Sequence, residues 1–384
     1  MTSPLDEKAL DLHKKLKGKM ETTLKSPIES KEDLSLLYTP GVAAPCLEIA
    51  KDKEKVYTYT GKGNLVMIVT DGTAVLGLGD IGPEAALPVM EGKAALFKRF
   101  GNVDAISICL NTKDVDEIVE TVVRISPGFG GVNLEDISAP RCFEIEKKLR
   151  ERLNIAVFHD DQHGTAIVVL AALQNALKVA QKKLSDVKIV FSGAGAAGIA
   201  VAKLLISGGA KNLILCDSQG IISSSRTDIN SAKKEMLQKT NPENISGTLA
   251  DALKNADVFI GVSKPNLLTA ENIKSMNLNS IIFAMANPTP EIMPDEAKKG
   301  GAFIVATGRS DFPNQVNNVL AFPGLFRGVF DSGAKEITEK MKIAAANALS
   351  ALVPMPTTEK ILPSAFDEGV AESVAKAVSK CAEI

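Results

Sequence analysis

Residues 188–217 read KIVFSGAGAAGIAVAKLLISGGAKNLILCD, and this stretch limits the possible fold more than any other. A short β-branched run at 188–191 leads into Gly193, Gly195 and Gly198 in GxGxxG spacing, then an apolar helical stretch to Ile206 and a second strand over 212–216. The first glycine permits a tight turn, the second lets the backbone approach a pyrophosphate, and the third lets helix pack on strand, with the helix N-terminus facing the anion. Asp217 follows about 20 residues on, where a carboxylate accepts hydrogen bonds from the adenosine ribose. A lone glycine turn also serves as a helix cap. Inside a strand–helix–strand unit with an acid at this distance, it predicts dinucleotide binding by Gly193, Ala194, Gly195, Ala196, Ala197, Gly198, Asp217 and Ser218.

The surrounding pattern continues the alternation of strand and helix. Strands predicted at 258–261, 280–285 and 303–306 complete a doubly wound Rossmann-type sheet, and their ends bring Ser263, Lys264, Asn287 and Arg309 to one edge. Upstream, strands at 65–69, 105–110, 131–134 and 155–158 alternate with helices to make a second α/β unit. A chain of 384 residues accommodates both. The expected fold class is therefore α/β, with a first domain over 1–162 and a nucleotide domain over 163–384. A long apolar helix at 164–180 joins them, and C-terminal helices are placed to return to the first domain.

Acidic residues collect at two strand ends of the first unit, Glu135-Asp136 and Asp160-Asp161, where open α/β sheets bind ligands. Glu135, Asp136 and Asp161 are hard oxygen donors suited to Mg²⁺ or Mn²⁺. Asp136 and Asp161 could instead cap the helices that follow them. Capping needs one acid in each place, and doubled acids repel unless a cation joins them, so the metal reading is preferred. The three histidines, His13, His159 and His163, show no zinc spacing; the latter two are expected behind the acids or in solvent. Lys93 lies among Met90, Ala94, Ala95 and Leu96 on a predicted helix, either snorkelling from it or desolvated toward a general base. Tyr38 precedes a Pro-Gly turn as a packed or a site tyrosine. Asn317 and Asn318 are either turn formers or ligand amides.

Composition narrows the partners. Hydrophobic residues make up 45% and charged residues 23%, as in an ordinary globular protein, and a net charge of −2 leaves no electrostatic footprint for nucleic acid or an anionic membrane. Five scattered cysteines form no CxxC pair, which predicts free thiols in the cytoplasm. No signal peptide is recognisable, and no apolar run is expected to span a bilayer. Residues 5–25 predict an amphipathic helix packed on the body or on a partner subunit, in preference to a membrane.

Over nearly its whole length the chain resembles a short, bacterial-type malic enzyme. The resemblance runs through YTPGV, VTDGTAVLGLGDIGP, EGKAALFKRFG, NLEDI, FHDDQHGTA, GAGAAG, MANPTPEI and ATGRSDFPNQVNNVLAFPG, in that order. It implies oxidative decarboxylation of (S)-malate to pyruvate and CO₂ with reduction of NAD or NADP, and the cofactor expectation leans to NADP. It also implies Tyr38 as general acid, Lys93 as general base and Asp160 positioning that lysine. Glu135, Asp136 and Asp161 would hold Mg²⁺ or Mn²⁺, and Asn287, Asn318 and Lys93 would meet the substrate, with Asn287 also near the cofactor. Longer members carry a substrate arginine in the loop where this chain has Ala74, so the metal, Asn318 or another residue must do more. Short members build sites at a dimer interface, which makes a homodimer with shared sites the expectation. A malolactic-type lyase releasing lactate and a non-catalytic dinucleotide sensor are the alternatives.

Overall fold

The computed structural model describes residues 4–75 and 77–382. Two sheets form. The first takes β1 (Leu65–Thr70), β2 (Asp104–Cys109), β3 (Gly131–Leu134) and β4 (Ala156–His159) in the order β2-β1-β3-β4, all parallel. The second takes β5 (Lys188–Ser192), β6 (Asn212–Asp217), β7 (Gly220–Ile221), β8 (Val258–Gly261), β9 (Ile281–Ala284) and β10 (Ile304–Thr307) in the order β10-β9-β8-β5-β6-β7, with only the short β7 antiparallel. Both sheets reverse direction beside their first strand, between β1 and β3 and between β5 and β8. The crevice outside the strand ends at such a point is where ligands bind.

The helix Asp160–Ala180 ties the two units together. Almost every apolar side chain along it is buried, and one continuous core runs from Val66 and Phe97 in the first unit through it to Ile189 and Phe283 in the second. By length and composition it is apolar enough to cross a membrane, yet 72% of that window is buried inside the fold. The helix starts at Asp160, four residues before the expected start, because acids are favourable in a first helical turn and both aspartates belong to it. The expected boundary at 162/163 thus falls within a helix.

The end of the chain comes back to the first unit. Phe322 and Phe326, on the helix Phe322–Ser332, stack edge-on against Phe97 at 4.7 and 5.3 Å between centroids. The last helix is Val370–Ala382, and Phe366 ahead of it is exposed. At the other end, the first helix spans Pro4–Leu16 and stops short of the expected residue 25, because Lys17 and Gly18 take positive φ of 55° and 120°. No residue of this helix is buried; Leu5, Leu10, Leu12 and Leu16 face outward.

Asn175 fastens the shared helix to the C-terminal segment. Fully buried, its Nδ2 donates to the carbonyls of Ser350 and Ile361 at 2.9 and 3.0 Å. Asn175→Ala should strand both carbonyls and lower stability by about 1–3 kcal/mol, read as a lower urea midpoint with unchanged slope.

Candidate active site

Lys93 sits on the helix Pro83–Gly101 and is only 7% exposed. Its ammonium lies 2.6 Å from Asp160 Oδ2 and 2.8 Å from Glu135 Oε1, with the ring of Phe322 at 4.4 Å. Burial works against the charge, but Asp160 and Glu135 outweigh it and hold the ammonium above its ordinary pKa. The snorkelling alternative is therefore excluded: the lysine points inward, into carboxylates.

Those carboxylates come from two strand ends and one helix turn. Glu135 and Asp136 follow β3, Asp136 at a positive φ of 53°, while Asp160 and Asp161 open the shared helix after β4. Asp161 Oδ2 accepts the backbone N–H of Asp136 at 2.8 Å, so it braces the neighbouring strand end and does not cap its own helix. Ligand oxygens of Glu135, Asp136 and Asp161 all lie within 4.8 Å of one another. Burial first, then mutual repulsion, pushes the carboxyl of Asp136 up; Glu135 and Asp161 are also raised by burial, with Lys93 opposing. Asp136 Oδ2 is buried with no hydrogen-bond partner among the described residues. Three crowded oxygen donors, one of them orphaned, fit a divalent cation such as Mg²⁺ or Mn²⁺.

The two asparagines divide their roles. Asn317 caps the short turn Asn318–Leu320, accepting the N–H of Val319 at 2.9 Å. Asn318 reaches back to the site, its Nδ2 donating to Asp160 Oδ2 at 2.6 Å. Gly164 makes room for this carboxylate, since a Cβ there would fall 1.9 Å from Asp160 Oδ1. Asn287 lies on the loop after β9, where its carbonyl and Pro288 close on Gly77 of the loop after β1. The second domain thereby brings Asn287 against the loop that follows the first strand.

The nucleotide cradle has the expected form. Gly193 takes φ 115° and its N–H donates to Cys216 O at 2.9 Å. A Cβ on Gly198 would fall 1.9 Å from Gly193 O, so helix and turn pack closer than any side chain allows. Gly195 precedes the helix Ala196–Ser207, which begins with Ala196, Ala197 and Gly198; Ala194 is buried just before it, and Ser218 is exposed. Asp217, at the end of β6, is held by Arg226 at 2.7 Å and Lys233 at 2.7 Å. Burial alone would raise its carboxyl, but these two cations lower it to about 2.

Tyr38 stands apart. Its side chain is 67% exposed, on a segment with no buried residues, and no side-chain hydrogen bond among the described residues joins it to Lys93 or the acids.

Residues 17–150 match the profile for the malic enzyme N-terminal domain, and residues 162–383 that for the malic enzyme NAD binding domain. The chain belongs to the malic enzyme family. It is 58% identical over 98% of its length to the bifunctional malic/malolactic enzyme of Bacillus subtilis, covering 93% of that protein. The NADP-dependent malic enzyme of Halomonas elongata is 50% identical over 96% of this chain and 87% of its own. Among solved structures, the NAD-dependent malic enzyme of Thermotoga maritima superposes with a TM-score of 0.94 at 51% identity, covering 97% of this chain and 98% of the other. The family's NAD-dependent and NADP-dependent names agree with the glycine cradle.

Several further residues support this malic enzyme site. Asn133, fully buried in β3, donates to Glu135 Oε2 at 2.9 Å. Arg141 pairs with buried Asp71 at 2.8 Å and donates to Thr73 Oγ1 at 3.0 Å, bracing the loop that holds Ala74. Glu291, fully buried, accepts the N–H groups of Ser263 and Ala286 at 2.9 and 3.0 Å and so fastens the loops after β8 and β9. His159 is not solvated: it is fully buried, and both ring nitrogens lack a hydrogen-bond partner among the described residues. His163 is largely buried as well.

Burial pushes the His159 imidazole down to about 4, with Glu146 pulling the other way. Above the ordinary histidine pKa, the ring is neutral in both the folded and unfolded chain. As pH falls from about 6.5 to 4 the unfolded chain takes this proton first, so the contribution of His159 alone falls by about 3 kcal/mol across that window. The raised carboxyls nearby act in the opposite sense, so the test is a difference: in urea melts of the metal-free protein, stability of wild type relative to His159→Asn should fall as pH drops from about 6.5 to 4.

Proposed function

We propose that this protein oxidatively decarboxylates malate to pyruvate and CO₂ with reduction of NAD or NADP. The observation that carries the reading is Lys93, buried between Asp160 and Glu135 beside the acid trio, on a chain matched nearly end to end to malic enzymes. Glu135, Asp136 and Asp161 are the ligands for Mg²⁺ or Mn²⁺, which would supply Lewis-acid polarisation of the substrate oxygens. Gly193 to Gly198 with Asp217 take the dinucleotide, the hydride acceptor.

Lys93 acts as general base toward the C2 hydroxyl. It must first lose its own proton, and two carboxylates oppose that. With Glu135 serving as a ligand, Asp160 is left as the lysine's partner, and an ammonium facing one carboxylate gives up its proton more readily than one facing two. Asn318, anchored on Asp160, and Asn287, on the second domain, bind the substrate carboxylates in the space that Ala74 leaves without an arginine. After CO₂ departs, Tyr38 returns a proton to C3.

Tyr38 reaches this chemistry across a homodimer. The segment that bears it exposes Leu34, Leu36 and Leu37 together with Leu5, Leu10 and Leu24, more apolar surface than a solitary chain leaves in water. Tyr38→Phe and Lys93→Ala should each lower kcat by about 10² to 10⁴ with smaller effects on KM for malate. Co-expressed, the two variants should recover about a quarter of wild-type activity, because half the dimers then hold one intact site. Recovery of none would place both residues in one chain's site.

The cofactor pocket supports NADP alongside NAD. Arg226 and Lys233 already neutralise Asp217, so a 2′-phosphate arriving there meets two cations and not a bare carboxylate. Lys233→Ala should raise KM for NADP by about tenfold or more and leave KM for NAD nearly unchanged. If both rise together, the lysine serves Asp217 alone.

A malolactic activity is the second reading, favoured by the bifunctional name of the Bacillus subtilis relative. Lactate measured beside reduced nicotinamide in one reaction separates the two. The five free cysteines accord with a reducing, cytoplasmic setting.

A further inference from the structure

Behind the helical turn that carries Asp160 and Asp161 lies a cleft of about 450 Å³, and none of the metal, substrate or cofactor residues named above lines it. One wall is the helix Arg141–Arg152 of the first domain; the others are the nucleotide helix Ala196–Ser207 and the C-terminal helix Glu339–Ala351. Its floor is Gln162, His163 and Ala166, in the first two turns of the shared helix.

A buried polar chain crosses the floor. Glu146 Oε1 lies 2.7 Å from His163 Nε2, and Lys342 Nζ lies 2.9 Å from His163 Nδ1. With Nε2 protonated, the ring donates to Glu146 and accepts from Lys342. Lys342 is 8% exposed, and no carboxylate lies within 4.0 Å of its ammonium among the described residues. A buried ammonium has three N–H groups to satisfy, and His163 takes one. Burial, joined by Arg150, pushes this lysine down to about 8, with Glu146 and Glu339 pulling the other way. It is thus still mostly charged near neutral pH, buried, and short of an anion.

Arg150 stands on the rim without an ion-pair partner among the described residues, whereas the other rim cations are engaged, Lys203 with Glu235 at 2.8 Å and Lys147 with Glu151 at 3.9 Å. The cleft also has an apolar lining, formed by Phe143, Ala166, Ile199 and Leu204. Glu339, also on the rim, disfavours a ligand with charge at both ends.

We propose that this cleft binds a small monocarboxylate with an apolar body, its carboxylate on Lys342 and Arg150 and its carbon skeleton against Phe143, Ala166, Ile199 and Leu204. Because the walls belong to both domains, the occupant bridges them. Because the floor is the turn that carries Asp160 and Asp161, it does so directly behind the catalytic acids.

The test is calorimetric titration of the 384-residue chain with benzoate, compared with acetate and with benzylamine. Benzoate should bind, acetate should bind at least tenfold more weakly for want of an apolar body, and benzylamine should not bind. Arg150→Ala and Lys342→Met should each weaken benzoate by about tenfold or more, the loss of one charged hydrogen-bond partner. Lys93→Ala should leave benzoate affinity unchanged, and Arg150→Ala should leave malate turnover without benzoate unchanged. Should Lys342→Met fail to fold, Arg150→Ala on the exposed rim decides alone. No benzoate binding, binding indifferent to Arg150, or binding abolished by Lys93→Ala would each overturn the assignment. The readout is binding, so it stands apart from whether malate is the substrate.

Discussion

Everything in the catalytic half of this molecule leans on a single buried ammonium. Lys93 is placed where water cannot solvate it, and only carboxylates from two other elements make that tolerable. Removing the ammonium would strand the carboxylates around it, and breaking a buried ion pair in this way typically costs about 3–5 kcal/mol. The interaction is therefore as much a folding constraint as a chemical one. It obliges β3, β4 and the helix between Pro83 and Gly101 to meet at one point, the crevice where the sheet order reverses.

The cluster is also unbalanced in a useful way. Four carboxyls, Glu135, Asp136, Asp160 and Asp161, face one lysine, and their raised pKa values express that mismatch. Further positive charge relieves it. The same arrangement that seats Lys93 thus suits a divalent cation, without a histidine or cysteine among the donors.

The fold was legible in the sequence where a strand is a short apolar run bounded by glycine or acid. The runs at 131–134 and 258–261 fall where the strands do, and the glycine spacing at 193–198 announces both the turn and the helix. Misreadings came where one residue type serves two environments. Asp160 and Asp161 read equally as a strand end and as a first helical turn, and only the packing decides. Partners distant in sequence carried no signal: Glu146, His163 and Lys342 meet across nearly two hundred residues, and Arg141 finds Asp71 across seventy. Asn133 left a trace, a polar side chain inside an apolar strand, whose reason becomes visible only with Glu135 beside it.

The shared helix has a consequence for how such a protein can change over time. Many two-domain chains are joined by a pliable tether, and recombination can trade one half for another. Here the junction is a rod of 21 residues whose sides are claimed by both cores at once. Neither half could be exchanged without also replacing the surface that the rod presents to the other. The two units are bound to one evolutionary history, and variation is left to the rim: the exposed arm at the front of the chain and the loops at the sheet edges.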